Sequence, residues 1–171
     1  MKKIILLFVL ACTLFSCEQA SEKTENQVGY VESSDTKSAA MDAFNDAYLS
    51  NDFSGQNEIF TENAVAYANG VEVSPAEMMQ SFLDGRNFYD DIKNLDRTTV
   101  TVHYDDGKIY TNSWFKWEGV SKSSGKLVDS PVHSYFMWEG DKVAKVGFIF
   151  DSHDYVTNMG VVEETEFPSE D

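Results

Sequence analysis

Cysteine is nearly absent from this chain of 171 residues: there are two, Cys12 and Cys17, and both lie in the first seventeen positions. No disulfide can therefore form within the rest, and the roughly 130 residues available for folding must be held by burial of one core. Basic residues are scarce too. Thirteen lysines and arginines face 29 aspartates and glutamates, for a formal charge of −16, and the few cations are scattered singly among the acids. Phosphate neutralisation needs clustered Lys and Arg, which argues against nucleic acid as a partner, and the acidity gives no polybasic attraction to anionic lipid. No HxH, HExxH or CxxC spacing accompanies His103 or Asp151-Ser152-His153-Asp154, so no metal centre is expected. The GxSxG elbow of serine hydrolases is missing as well, and nothing implies a cofactor. The only long apolar run, residues 4–15, is shorter than the about 20 residues a membrane-spanning helix needs.

That run is informative in another way. Lys2 and Lys3 precede it, and Glu18-Gln19-Ala20-Ser21-Glu22-Lys23 follows it abruptly, the pattern of an export signal that is removed. Leu14-Phe15-Ser16-Cys17 resembles the lipobox of bacterial lipoproteins, with an untypical Phe at its second position. The resemblance implies a signal peptide over residues 1–17, a lipid on Cys17, and a place in the cell envelope, at the outer membrane or surface of a Gram-negative bacterium. Val9-Leu10-Ala11-Cys12 loosely fits the same box but leaves a shorter apolar core. Removal of Lys2 and Lys3 leaves 11 basic against 29 acidic residues, a charge of −18, so membrane attachment would rest on the acyl chains alone. Residues 18–37, rich in Glu, Ser, Thr, Gln and Asn, predict a disordered tether. A domain over 38–160 and an acidic tail over 161–171 complete the expected organisation.

Within the domain, Ala40, Ala43, Phe44, Ala47 and Tyr48 recur at helical spacing, with Asp42, Asn45 and Asp46 on the other side. Ser50-Asn51-Asp52 breaks this helix, and a short second one is expected through Ile59 and Phe60. The run 64–68 reads as a strand ended by Asn69-Gly70, with a hairpin to Val71 and Val73. Ser74-Pro75-Ala76-Glu77 carries the signature of a capped helix start, and Met78, Met79, Phe82 and Leu83 form a buried face up to Asp84-Gly85. After Asp96 the period becomes two. Thr99 to Tyr104 alternate, and strands over 109–118, 132–139 and 142–151 follow, separated by Asp105-Asp106-Gly107-Lys108, a polar loop over 121–126 and Gly140-Asp141. Helices first and strands in series afterwards predict an α+β domain with an antiparallel curved sheet.

This order, with Ser50-Asn51-Asp52-Phe53, Phe60-Thr61-Glu62-Asn63-Ala64-Val65 and Trp138-Glu139-Gly140-Asp141-Lys142-Val143 ahead of Asp151, resembles the SnoaL-like branch of the nuclear transport factor 2-like superfamily over residues 38–158. The resemblance implies a cone-shaped curved antiparallel sheet packed on three N-terminal helices, a pocket between them, and homodimers paired through the sheet's outer face. Such proteins include isomerases, cyclases, dehydratases, epoxide hydrolases and plain binding modules. The carboxylate base of ketosteroid-isomerase-like members would fall at Ala66-Tyr67-Ala68, which has none, and their second acid at His133-Ser134-Tyr135. Asp151 does match the acidic residue at the end of the last strand. The expectation is a lipid-anchored, non-catalytic pocket for a small apolar or aromatic molecule, walled by Tyr67, Phe82, Trp114, Trp117 and Tyr135. The alternative is a SnoaL-like enzyme of isomerase, cyclase or dehydratase type, with His133 and Asp151 transferring protons. Alternation puts Asp151 on the face of Gly147 and Ile149, opposite Phe148 and Phe150, and leaves open which face lines the pocket.

Overall fold

Helix α1 (Thr36–Leu49) starts where the Asp35 carboxylate accepts from the amides of Lys37 and Ser38, at 2.6 and 2.8 Å, while Ser38 Oγ accepts from the Asp35 amide at 3.1 Å. These contacts satisfy orphan donors of the first turn. The computed structural model describes residues 28–160; the signal segment with Cys17, the first part of the expected tether and the acidic tail lie outside the described residues. Strand β1 (Gly29–Glu32) comes just before the cap, inside the stretch expected to be a tether, and pairs antiparallel with β4 from Gly29↔Tyr104 to Glu32↔Thr101. An edge strand held by main-chain bonds on one side needs little apolar burial, so composition alone did not reveal it.

After α1 a single 3-10 turn (Gln56–Ile59) stands where a second helix was expected, and Phe60 already belongs to β2 (Phe60–Ala68). The turn Asn69-Gly70, with φ of 47° and 85°, leads into β3 (Val71–Val73), the positive-φ pair that this dipeptide accommodates. Helix α2 (Pro75–Asp84) has the cap read from its sequence. Ser74 Oγ accepts from the Glu77 amide at 3.2 Å, and Glu77 Oε2 accepts from the Ser74 amide at 2.8 Å. The remaining elements are a second 3-10 turn (Gly85–Asn87), β4 (Tyr89–Tyr104), β5 (Ile109–Ser121), β6 (Leu127–Glu139), β7 (Lys142–Phe150) and the short α3 (His153–Thr157). Two α-helices thus precede the main sheet and the third follows it, in place of three N-terminal ones.

The sheet order is β1-β4-β5-β6-β7-β2-β3. It is mixed rather than wholly antiparallel, because β2 runs parallel to β7, with Val65↔Lys145 and Ala68↔Phe148 in register. Strand β4 begins ten residues before the alternating run at Thr99. Bulges between Asp90 and Lys93 and between Leu95 and Thr98, with Asp91 and Asp96 at φ of 51° and 54°, interrupt its period and bend it. The curved sheet wraps α1 and α2. Met41 and Phe44 of α1, Met78 and Met79 of α2, and Phe115, Phe136, Val146 and Phe148 of the sheet are buried between the layers. This is the α+β cone that the resemblance implied.

Replacing Ser74 by alanine removes the acceptor for the Glu77 amide and should cost about 1 kcal/mol. A lower thermal midpoint for the full chain is expected; an unchanged one would show that the cap contributes nothing.

Candidate functional site

Strict alternation sorts the strands into two faces. On β5, Ser113, Phe115 and Trp117 point to the helices while Asn112, Trp114 and Lys116 point away; on β6, Ser130, Val132 and Ser134 point in and Pro131, His133 and Tyr135 out. Between the inner face and the helices lies a cavity of about 370 Å³. Phe44 and Tyr48 of α1, Phe82 of α2, Phe115, Trp117, Val132, Phe148 and Phe150 of the sheet, and Tyr155 with Met159 at the C-terminal end make its wall almost wholly apolar.

Most polar atoms of the lining are already used by the protein. Ser81 Oγ donates to the Met78 carbonyl at 2.7 Å and Ser130 Oγ to the Asp151 carbonyl at 2.9 Å. Asp84, exposed at the rim, accepts from Gln80 Nε2 at 2.8 Å. Two side chains of α1 differ. Trp117 Nε1 donates to Tyr48 Oη at 2.7 Å, which leaves the Tyr48 O–H itself without a protein acceptor among the described residues. Burial pushes the Tyr48 phenol up to about 12, against the opposing pull of the Trp117 bond, so it stays protonated and its O–H is left to donate. One turn earlier, Asn45 is 3% exposed and donates one amide N–H to the Met41 carbonyl at 3.0 Å, so its oxygen is left to accept. The Tyr48 O–H donor and the Asn45 oxygen thus lie three residues apart on one helix, at a mostly apolar wall.

Two devices hold this region. Arg86 Nη2 donates to the carbonyls of Tyr48 and Leu49, at 2.6 and 2.9 Å, and closes the end of α1. Tyr155 of α3 stacks on Tyr89 with ring centroids 4.8 Å apart and meets Trp117 edge-on at 5.4 Å. The Tyr155 hydroxyl comes so near Gly85 that a Cβ there would lie 2.8 Å from it. Gly85 has φ −54°, so it serves the end of α2 through its lack of a side chain and not through a left-handed backbone.

Of the aromatic residues expected to form the wall, Phe82 and Trp117 line the cavity. Tyr67, Trp114 and Tyr135 lie on the other face: Tyr67 donates to Glu72 Oε2 at 2.6 Å, and Tyr135 rests over Gly147, where a Cβ would fall 2.3 Å from its ring. His133 is on that outer face too, opposite Trp114 and Ile149 in the register. It stacks on Trp114 at 5.0 Å, shares a hydrogen bond with Asn112 Oδ1 at 3.0 Å, and has its pKa lowered by burial. Asp151 follows the last residue of β7, is exposed, and accepts from the His153 amide at 2.9 Å. Neither His133 nor Asp151 reaches the cavity. Tyr48, read as core, and Asn45, read as solvent-facing, are the polar groups that do. The signal was their position: Asn45 is four residues from Met41 and three from Tyr48, so it lies on the buried stripe and not opposite it.

No family model matches the sequence, and no curated protein does. Solved structures do match. A SnoaL-like polyketide cyclase from Agrobacterium tumefaciens superposes with a TM-score of 0.54 at 13% identity, covering 74% of this chain and 100% of that one. A protein with a ketosteroid isomerase-like fold from Catenulispora acidiphila, in complex with trimethylamine, gives 0.54 at 8% identity, covering 72% and 93%. The chain has the fold of these SnoaL-like and ketosteroid-isomerase-like proteins.

The phenol of Tyr89 is likewise pushed up to about 12, chiefly by burial. Both groups are raised above their ordinary value near 10, so their contribution to stability is complete below that pH and is lost as pH climbs toward 12. An alkaline absorbance titration should therefore show a late phenolate phase that coincides with loss of stability. Tyr48→Phe should remove about one tyrosine from that phase, and a late phase unaltered in the variant would contradict the placement of Tyr48.

Proposed function

We propose that this protein is a lipid-anchored envelope protein whose cavity binds a small, neutral, mainly apolar or aromatic molecule bearing one hydroxyl-like or amide-like group, without transforming it. The observation that carries this reading is the Tyr48 O–H donor and the Asn45 acceptor in a mostly apolar cavity with, among the described residues, no histidine and no buried carboxylate on its wall. An anionic ligand would lose hydration without finding a counter-charge there, and the one carboxylate of the described wall, Asp84, is exposed at the rim, away from the apolar interior. A neutral one would meet aromatic surface and one matched polar contact, the composition typical of small-molecule sites. The likeness to a SnoaL-like polyketide cyclase supports a small-molecule occupant. The lipid anchor is supported by the sequence of residues 1–17, and self-pairing through the outer face by the exposure of Trp114 (44%), Tyr104 (41%) and Ile149 (55%).

The enzymatic reading keeps one supporting observation. A protonated, buried phenol that already accepts from Trp117 is a good hydrogen-bond donor to a developing oxyanion. Proton transfer by His133 and Asp151 would need a substrate on the outer face.

The neutral dye N-phenylnaphthylamine tests the binding reading. Its fluorescence should rise saturably with the full chain. Phe82→Ala and Trp117→Ala should each weaken binding about tenfold, since burying one large apolar side chain is worth about 1.5–3 kcal/mol. Trp114→Ala, on the other face, should leave it unchanged. Equal affinity in all three variants would remove the cavity from consideration. Anchoring is checked separately: fatty-acid labelling in cells should vanish in Cys17→Ala, and labelling lost instead in Cys12→Ala would move the lipid.

A further inference from the structure

A second group of chemistry-bearing side chains sits far from the cavity wall, where β1, the start of α1 and β4 meet. Glu32 is on β1, Asp35 is the cap of α1, and His103 is near the end of β4. One carboxylate oxygen of each acid and an imidazole nitrogen lie within 4.8 Å of one another. The sheet register brings them there. Tyr30 is directly opposite His103 and Glu32 opposite Thr101, so Tyr30, Glu32, Thr101 and His103 share a face. The Tyr30 ring lies flat on the imidazole, with centroids 4.6 Å apart and planes 2° from parallel, and fixes its orientation.

A hydrogen-bonded ion pair alone does not account for this arrangement. His103 Nε2 is 2.9 Å from Glu32 Oε2, yet it is buried and makes no aligned hydrogen bond to that oxygen or to any other described atom. Asp35 divides its oxygens. Oδ1 takes the amides of Lys37 and Ser38 and the Thr101 hydroxyl, the last at 3.1 Å, while Oδ2 is buried and has no partner among the described residues. Among the described residues, two acids and no lysine or arginine meet here, since Lys37 turns to Gly140 and Asp141 and Arg97 to Asp42 and Asp46. A buried carboxylate oxygen without donor or cation is costly. A divalent ion removes that cost. Two ligands about 2.1 Å from a tetrahedral zinc are about 3.4 Å apart, so the 2.9 Å contact between His103 and Glu32 has to open by only about 0.5 Å for both to reach one ion. The short approach without hydrogen-bond alignment is what two ligands of one ion would show.

The geometry points to a binding site for a first-row divalent cation such as zinc, ligated by His103 Nε2, Asp35 Oδ2 and a Glu32 carboxylate oxygen. One imidazole and two carboxylates suit zinc, manganese or iron better than calcium or magnesium, which take oxygen ligands alone. The Glu32 side chain is 47% exposed and that of His103 19%, so the ion would enter from the open edge of the sheet, and water would complete its shell. The site would clamp the edge strand to the helix start. It stands independently of what the cavity binds.

Zinc alone is the probe. The full chain, stripped with chelator, should bind one equivalent by calorimetry, and cobalt in its place should give a visible absorption band of the bound ion. His103→Gln should weaken zinc binding at least about tenfold, the lower end of what even an outer-shell partner contributes. Glu32→Gln, at an exposed position away from the Asp35 cap, should weaken it in the same direction and keeps the test valid if the histidine variant folds poorly. His133→Gln and His153→Gln should bind as the unaltered chain does. Absence of saturable zinc uptake, or uptake undiminished in both His103→Gln and Glu32→Gln, would overturn the site.

Discussion

The register between β5 and β6 runs from Ile109↔Trp138 to Val120↔Leu127 without a shift, and nearly everything about the cavity depends on that continuity. A two-residue period with no slip gives each strand one face toward the helices and one away from them. Phe115, Trp117 and Val132 consequently line the cavity with Phe44, Tyr48 and Phe82, while outside Trp114 stacks on His133 and Tyr135 lies tilted beside it. A single bulge in either strand would exchange the two sets and give the cavity an imidazole and a tyrosine. Register shifts occur instead in β4, where they curve the sheet over the helices, and in the pairings of β7 with β6 between Met137 and Trp138 and with β2 between Phe60 and Val65.

Given that sorting, the bond from Trp117 to Tyr48 links sheet to helix inside a mostly apolar interface. A buried hydrogen bond of this kind contributes about 0.5–1.5 kcal/mol net, whereas an unpaired indole N–H would cost about 1–3 kcal/mol. The bond therefore matters more for avoiding a penalty than for what it adds. It also orients the phenol so that its proton is left for another acceptor. Arg86 on the α1 carbonyls and Tyr155 against Gly85 hold the surrounding turn.

How much of this could be read from the sequence depended on how local the signal was. The capping box at Ser74, the Asn69-Gly70 hairpin and the alternation of β5 to β7 are written in neighbouring residues, and the structure has them all. What was missed depends on distant partners. Strand β1 is four mostly exposed residues and makes sense only beside β4; the early half of β4 is hidden because two bulges break its period; and β2 beside β7 pairs segments about 80 residues apart. The site followed the same division. Aromatic residues suitable for a wall were recognised as a class, but assigning them to a face needed the register, so Phe82 and Trp117 belong to the cavity and Tyr67, Trp114 and Tyr135 do not. Asn45 was misplaced by its polarity, although its spacing from Met41 put it inside. No metal spacing was visible because Glu32 and Asp35 are separated from His103 by most of the domain and meet it only through the pairing of β1 with β4.

Helix α1 touches both sites, which raises the question of whether they communicate. Its 14 residues span about 21 Å at 1.5 Å per residue, with Asp35 at one end and Tyr48 in the last turn. Coupling would require an element with two arrangements that both ligands bias. Helix α1 is a poor candidate: it is capped by Asp35, closed by Arg86, and packed through Met41 and Phe44, each 1% exposed, against the core. An ion at the sheet edge would find the helix start already formed, and would chiefly tighten β1, which is hydrogen-bonded on one side only. The physical arrangement thus favours a division of labour, in which the edge cluster governs how firmly the N-terminal strand is held and the cavity binds its molecule with an affinity set by its own wall.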